Sequence, residues 1–276
     1  MPEGHTLHRV AGELRDRFAG RIVTSSSPQG QFILGAARVD AHRLVDVDAW
    51  GKHVLVRFDG VGEQVHVHLG LFGRWTITVS EDVVPVVGEV RWRLLSESVV
   101  AELRGPAACE LLSPREVAAL LARLGPDPLR DDADPDRAWQ RISASRSPLA
   151  TLLMDQAVVS GIGNVYRAEV LFRHGLLPDL PGRDLDRSTW DAIWADLVHL
   201  MRDGVSSGQI DTVRAEHTPE AMGREPRDDA HGGEVYVYRR TGQPCLVCGT
   251  PVLTKVVAGR NLFWCPECQG ADRVRR

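Results

Sequence analysis

The sequence predicts an α+β protein of several domains, with a β-rich first part, a helical middle and a short β-rich tail carrying paired cysteines. Three observations carry this. Up to about residue 110 the apolar residues come in short runs broken by Gly and Asp, and beyond Ser113 the apolar spacing becomes three and four. Four of the five cysteines form two Cys-x-x-Cys pairs near the C-terminus, leaving Cys109 alone.

Taken in order, Leu7, Val10, Leu14 and Phe18 recur at helical steps and predict a leading amphipathic helix. Strands are expected at Arg21 to Ser25, Phe32 to Leu34, Arg43 to Val47, His53 to Phe58, Gln64 to Leu69, Arg74 to Val79, Glu89 to Leu95 and Val99 to Leu103. Short strands at this spacing suggest a β-sandwich. The Pro- and Asp-rich piece from Gly125 to Pro135 marks a boundary. Helices are expected at Ser113 to Leu124, Ala138 to Ile142, Leu149 to Val159, Val165 to His174 and Thr189 to Met201, with Trp190 and Trp194 in the helix core. From Glu216 to Gly233 charge, Pro and Gly dominate, so a mobile loop is expected there. There is no internal repeat.

With 276 residues, 43% hydrophobic and 25% charged, the chain can bury a sizeable core, which argues against disorder and low-complexity scaffolds. No run of 18 apolar residues occurs, and Met1-Pro2-Glu3-Gly4-His5 lacks the build of a secretory signal, so a cytoplasmic protein is expected. The net charge of −4 conceals segregation: from Tyr236 onward Arg239, Arg240, Lys255, Arg260, Arg273, Arg275 and Arg276 face only Glu267 and Asp272. One region is suited to a polyanion, although four metal-bound thiolates would offset part of the surplus.

Cys245-Leu246-Val247-Cys248 and Cys265-Pro266-Glu267-Cys268 are spaced to wrap one tetrahedral Zn²⁺, with strands Val252 to Val257 and Asn261 to Trp264 turning at Ala258-Gly259. Four thiolates leave no open position for water, so the metal is structural. Arg260 follows the glycine of that turn, where a guanidinium suits phosphate. Ser160-Gly161-Ile162-Gly163-Asn164 joins two amphipathic helices. Without Cβ atoms at Gly161 and Gly163, main-chain N–H groups can approach an anion, and Asn164 can add a hydrogen bond. Loss of Met1 would expose Pro2 as a secondary amine beside the Glu3 carboxylate, a nucleophile for an aldehyde-like carbon. His66 and His68 share one face of a strand and read as polar packing, since no third ligand is evident; Cys109 reads as a small packed residue.

Met1-Pro2-Glu3-Gly4, Gly51-Lys52, His68-Leu69-Gly70-Leu71-Phe72-Gly73, Leu124-Gly125-Pro126-Asp127-Pro128-Leu129, the Gly161 to Phe172 hairpin and Gly259-Arg260-Asn261-Leu262-Phe263-Trp264-Cys265-Pro266 occur in that order. Along nearly its whole length the chain resembles the formamidopyrimidine-DNA glycosylase and endonuclease VIII family. The resemblance implies a bifunctional base-excision repair glycosylase and abasic-site lyase. Its parts would be a catalytic β-sandwich domain (1–124), a linker and helix-two-turns-helix domain with a lesion loop (125–234), and a four-cysteine zinc finger (235–276). It implies Pro2 as the Schiff-base nucleophile at C1′, Glu3 as the acid/base, Lys52 at the active site and flanking phosphate, and Arg260 on phosphates and in δ-elimination. Gly70, Leu71 and Phe72 would form the wedge that fills the duplex where the base leaves; Asn164 and Arg123 would be further DNA contacts. Cys245, Cys248, Cys265 and Cys268 would hold one structural zinc. Damaged DNA is the implied partner, with no nucleotide cofactor, no membrane attachment and a monomeric chain that is cytoplasmic and nucleoid-associated on DNA.

Two departures bear on specificity. Gly70 stands where endonuclease VIII proteins carry a wedge glutamine, and the family opening Pro-Glu-x-Pro-Glu reads Pro2-Glu3-Gly4-His5-Thr6, without its second carboxylate. The opening and the wedge turn favour oxidised pyrimidines as substrate. The alternative is a non-catalytic reader of damaged or abasic DNA on the same scaffold, and a zinc-ribbon protein without a DNA role stands further off.

Overall fold

The computed structural model describes residues 2–229 and 232–270; Met1 and the basic residues Arg273, Arg275 and Arg276 lie outside the described residues. The chain divides into two units, Met1–Arg123 and Leu124–Arg276. Among the described residues no helix is long and apolar enough to cross a membrane.

In the first unit α1 (Gly4–Phe18) leads, followed by β1 (Thr24–Ser26), α2 (Ile33–Val39), β2 (Leu44–Trp50), β3 (His53–Phe58), β4 (Gln64–His68), β5 (Arg74–Val79), β6 (Trp92–Ser96), β7 (Val99–Arg104), β8 (Ala108–Leu112) and α3 (Pro114–Ala122). The strands form two antiparallel four-stranded sheets, ordered β1-β6-β7-β5 and β2-β3-β4-β8, as the sandwich reading expects. Leu7, Leu14 and Phe18 of α1 enter one core with Val47, Val56 and Val67 of the second sheet and Trp92 and Leu94 of the first. Alternation explains the pattern: on a strand every second side chain faces the core.

Two expectations for this unit need correction. The segment around Phe32 is not a strand; it opens α2, because the residues after it, Ile33-Leu34-Gly35-Ala36-Ala37, supply alanine-rich helix-forming text and the ring packs edge-on to Trp92. Strand β8 has no counterpart in the sequence reading, since Ala108-Cys109-Glu110-Leu111-Leu112 lacks β-branched residues; cross-strand pairing with β4 makes it a strand.

The second unit contains α4 (Pro135–Ser143), α5 (Leu149–Leu152), α6 (Asn164–Arg173), α7 (Arg187–Ser207), α8 (Pro219–Met222) and the antiparallel hairpin β9 (Leu253–Val257) and β10 (Arg260–Trp264). Its core mixes helical residues such as Leu149, Tyr166, Leu171 and Trp190 with Val252, Leu262 and Cys265 of the tail. The expected helix Leu149 to Val159 stops at Leu152. Local side chains take over the backbone there: the Asp155 carboxylate accepts from Ala157 N, while Gln156 Nε2 donates to the Met154 and Ile162 carbonyls. The described residues of the 216–233 stretch are not structureless either. Thr218 caps α8, and Glu234 accepts from the Arg227 main chain while pairing with Arg224.

Candidate DNA-repair site

Glu3 is fully buried at the N-cap of α1 and its carbonyl accepts from Thr6 N at 2.9 Å. Pro2, half-buried, precedes it in the chain. His5 lies in the first turn and is 5% exposed; burial pushes its imidazole down to about 4, with Arg9 and His8 acting in the same direction, so it stays neutral at physiological pH.

Lys52 sits in the two-residue turn between β2 and β3, closed by pairing of Trp50 with His53. Gly51 takes φ +59 in that turn, a conformation open to glycine and costly for side chains with a Cβ. The Lys52 carbonyl receives His68 Nδ1 at 2.9 Å, so this turn is tied to the end of β4. His53, which the sequence reading left unremarked, lies beside both His66 and His68, with ring centroids 5.1 and 4.9 Å away. Its register opposite His68 could be found only once β3 and β4 were paired.

The turn expected to carry the wedge connects β4 to β5 and thereby one sheet to the other. Leu69 is buried beneath it, whereas Leu71 is 55% and Phe72 85% exposed, so both apolar tips face solvent. Gly70 has φ +68, and a Cβ there would lie 2.7 Å from the Ala107 Cβ. The missing glutamine is therefore a structural matter, because this turn as built has no room for a side chain at position 70. Arg123 caps the C-terminal end of α3, is exposed, and acts electrostatically on His53.

In the second unit Gly161 takes φ +88, but its N–H donates to Gln156 Oε1 at 3.0 Å. That group is engaged within the turn. Asn164 opens α6 and its Nδ2 donates to the Asn261 carbonyl at 2.9 Å, while the buried Arg167 guanidinium donates to Asn164 Oδ1. The helical hairpin is thus joined to the residue after Arg260. Glu169, fully buried, makes a second joint: its carboxylate accepts from the main-chain N–H groups of Tyr236, Val237 and Tyr238 and from the Thr212 hydroxyl. Four such donors compensate the burial of charge. The sequence reading missed Arg167 and Glu169, although polar residues within a helix buried on every face were the available signal.

Arg260 begins β10 and is exposed at the hairpin tip, after Ala258 and Gly259 at φ 49 and 73. The sulfurs of Cys245, Cys248, Cys265 and Cys268 all lie within 4.8 Å of one another, with Cys245 to Cys268 at 3.8 Å and Cys248 to Cys265 at 3.5 Å. Tetrahedral zinc with Zn–S bonds of about 2.3 Å needs sulfur separations of roughly 3.8 Å, so the four thiolates fit one structural Zn²⁺. Among the described residues no other set of His, Cys, Asp and Glu gathers three ligand atoms. Cys109 is buried, and burial raises its thiol to about 12, leaving it protonated and inert.

Residues 1–108 match the formamidopyrimidine-DNA glycosylase N-terminal domain, 124–215 the formamidopyrimidine-DNA glycosylase H2TH domain, and 242–270 the zinc finger found in FPG and IleRS. Endonuclease 8 1 of Mycobacterium tuberculosis is 48% identical over 275 residues, covering 98% of this chain and 100% of the relative. Among solved structures, the MutM (Fpg) protein of Thermus thermophilus superimposes with TM-score 0.74 at 27% identity, covering 98% of this chain and 99% of that one. A Lactococcus lactis Fpg bound to abasic-site DNA gives 0.77 at 21% identity, covering 97% and 99%, a likeness of fold alone.

Proposed function

Since the chain belongs to the formamidopyrimidine-DNA glycosylase family of DNA glycosylase/AP lyases, we propose that it excises oxidised pyrimidines from DNA and then cuts the strand by β,δ-elimination. The observation that carries the reading is Pro2 joined to a fully buried Glu3 at the head of α1. Relatedness to an endonuclease 8 at 48% identity supports the pyrimidine preference.

The chemistry starts with removal of Met1. The freed Pro2 nitrogen bonds to C1′ as the N-glycosidic bond breaks, and the base departs with that electron pair and takes up a proton from water. Glu3 takes the proton released by the Pro2 nitrogen and passes it to the sugar ring oxygen, opening the ring and leaving an iminium at C1′. The iminium acidifies the C2′ proton; its loss expels the 3′ phosphate, and a second elimination expels the 5′ phosphate. One intermediate serves both activities. Reaching C1′ requires the nucleotide to leave the stack, and Leu71 and Phe72, apolar and exposed, suit the space it vacates. Lys52, Arg123, Asn164 and Arg260 supply phosphate contacts, and Arg260 assists the δ step. Residues 1–124 act as the catalytic domain, 125–234 as the helical domain and 235–276 as the finger. The zinc holds the hairpin that carries Arg260 and takes no part in the chemistry.

Borohydride trapping on a duplex with one abasic site tests the reading. Wild-type protein with Met1 removed is expected to give a covalent adduct that Pro2→Ala abolishes. An undiminished adduct in Pro2→Ala, or a mature protein still carrying Met1 that cleaves at full rate, rejects it. Binding of damaged DNA without base release or scission would instead identify a non-catalytic reader, the reading favoured by Thr6 standing where the family opening has a second carboxylate.

A further inference from the structure

Four polar residues tile one face of three neighbouring strands beside Lys52. Strand register sets His53 opposite His68, and His66 opposite Glu110. His66 Nδ1 meets Glu110 Oε1 at 3.0 Å, and His66 Nε2 meets His53 Nδ1 at 2.9 Å. A carboxylate offers lone pairs only, so His66 must carry its proton on Nδ1 and accept on Nε2. His53 must then donate from Nδ1, which leaves its Nε2 as a lone pair. The line runs in one direction, His53 to His66 to Glu110. His68 separately donates Nδ1–H to the Lys52 carbonyl. The three imidazoles are not a metal site, since no such ligand set gathers there among the described residues.

We propose that His53, His66 and Glu110 form a tautomer-setting line that positions Lys52 for the reaction described above, and the proposal rests on Lys52 having its place in that reaction. The line ends at the residue adjoining Lys52; the His53 ring meets His66 edge to edge and lies against His68, which holds the Lys52 carbonyl. His53 is within electrostatic reach of Lys52 and Arg123. A single His53 tautomer presents those two cations with one fixed arrangement of N–H and lone pair, where two interchanging tautomers would present two. Glu110, an exposed carboxylate on β8, thus selects the orientation of a side chain two strands away. Protonating His66 would put N–H on both of its nitrogens and break the line. The groups facing the line are Lys52, Arg123 and His68 as well as Glu110. Burial opposes protonation, holding His53 at about 3 and His66 below its ordinary value even though Glu110 pulls the latter upward.

The test is a double-mutant cycle on single-turnover cleavage of an abasic-site duplex, combined with imidazole proton NMR of the wild-type zinc protein. His53→Gln and Glu110→Ala are each expected to slow cleavage about 10-fold, the scale of a small misplacement at a reacting centre. In a Lys52→Ala background each is expected to cost less than about 2-fold, because the effect runs through Lys52. Wild type should show hydrogen-bonded Nδ1 protons for His53 and His66, and Glu110→Ala should lose the His66 signal. Equal losses in both backgrounds, no loss in either, or absence of those protons in wild type overturns the proposal. Should His53→Gln not fold, Glu110→Ala carries the cycle, since its side chain is 54% exposed. A wild-type protein that does not cleave overturns the proposed function and this proposal with it, whereas one that cleaves with no coupling overturns the proposal alone.

Discussion

Truncating Phe72 separates a DNA wedge from an ordinary strand end. The side chain is 85% exposed, so Phe72→Ala removes almost no packing, and unfolding stability should move by no more than about 0.5 kcal/mol, as at other surface sites. The ring has a role only when a base has left the duplex. Stacking of an aromatic side chain on a base is worth roughly 1–3 kcal/mol by alanine substitution. At about 1.4 kcal/mol per factor of ten, that predicts a loss of roughly 5- to 150-fold in single-turnover base release from duplex. The same lesion in a single strand has no vacated stack to fill, and the loss there should be much smaller. Both rates can be read on one labelled oligonucleotide, with and without its complement. Unchanged release from duplex, or an equal loss on both substrates, would refute the wedge.

Gly70→Gln should destabilise the fold by about 2 kcal/mol, since a left-handed residue with a Cβ is strained by roughly 1–2 kcal/mol and Ala107 is already in the way; Ala107→Gly in the same chain should recover part of it in denaturant melts, and an unperturbed melt would contradict the geometry. Stripping zinc with a chelator should loosen the β9–β10 hairpin and abolish strand cutting, because structural zinc contributes on the order of 10 kcal/mol to such folds; full cleavage by protein shown to be zinc-free would contradict this. Burial alone would raise the Asp196 carboxyl, but hydrogen bonds from His174 and Arg173 outweigh it and hold it well below the usual range. Its contribution is therefore complete at neutral pH and fades as pH falls through the unfolded value of about 3.9 toward the lower folded one. Asp196→Ala should cost about 3 kcal/mol near neutrality by leaving Arg173 buried without its partner, and the gap from wild type should narrow in acid; a gap independent of pH would refute the pairing.

Much of this molecule can be read along the chain because the relevant physics is local. The cysteine pairs determine a metal by spacing alone, α1 declares itself by the steps between Leu7, Leu14 and Phe18, and β3 and β5 have the bounds expected of short β-rich runs between turns. The resemblance carried by Pro2, Glu3, Lys52 and Arg260 led to the family through short ordered motifs. Local reading failed where a distant partner outweighed local preference. Strand β8 exists because β4 pairs with it, and the helix after Leu149 ends because Gln156 reaches forward to Gly161 and Ile162.

What the sequence by itself determined is the kind of protein: the order of its parts, its metal and the residues expected to meet DNA. Tertiary structure alone decided which polar groups act together. His53, His66 and Glu110 are 13 and 44 residues apart and become one hydrogen-bonded line only through the register of three strands. Arg167 and Asn164 likewise meet Asn261 only when the finger packs on α6. Periodicity and spacing are written within a single segment, whereas register depends on the packing of the whole sheet, and a shift of one residue would turn every one of these side chains to the opposite face.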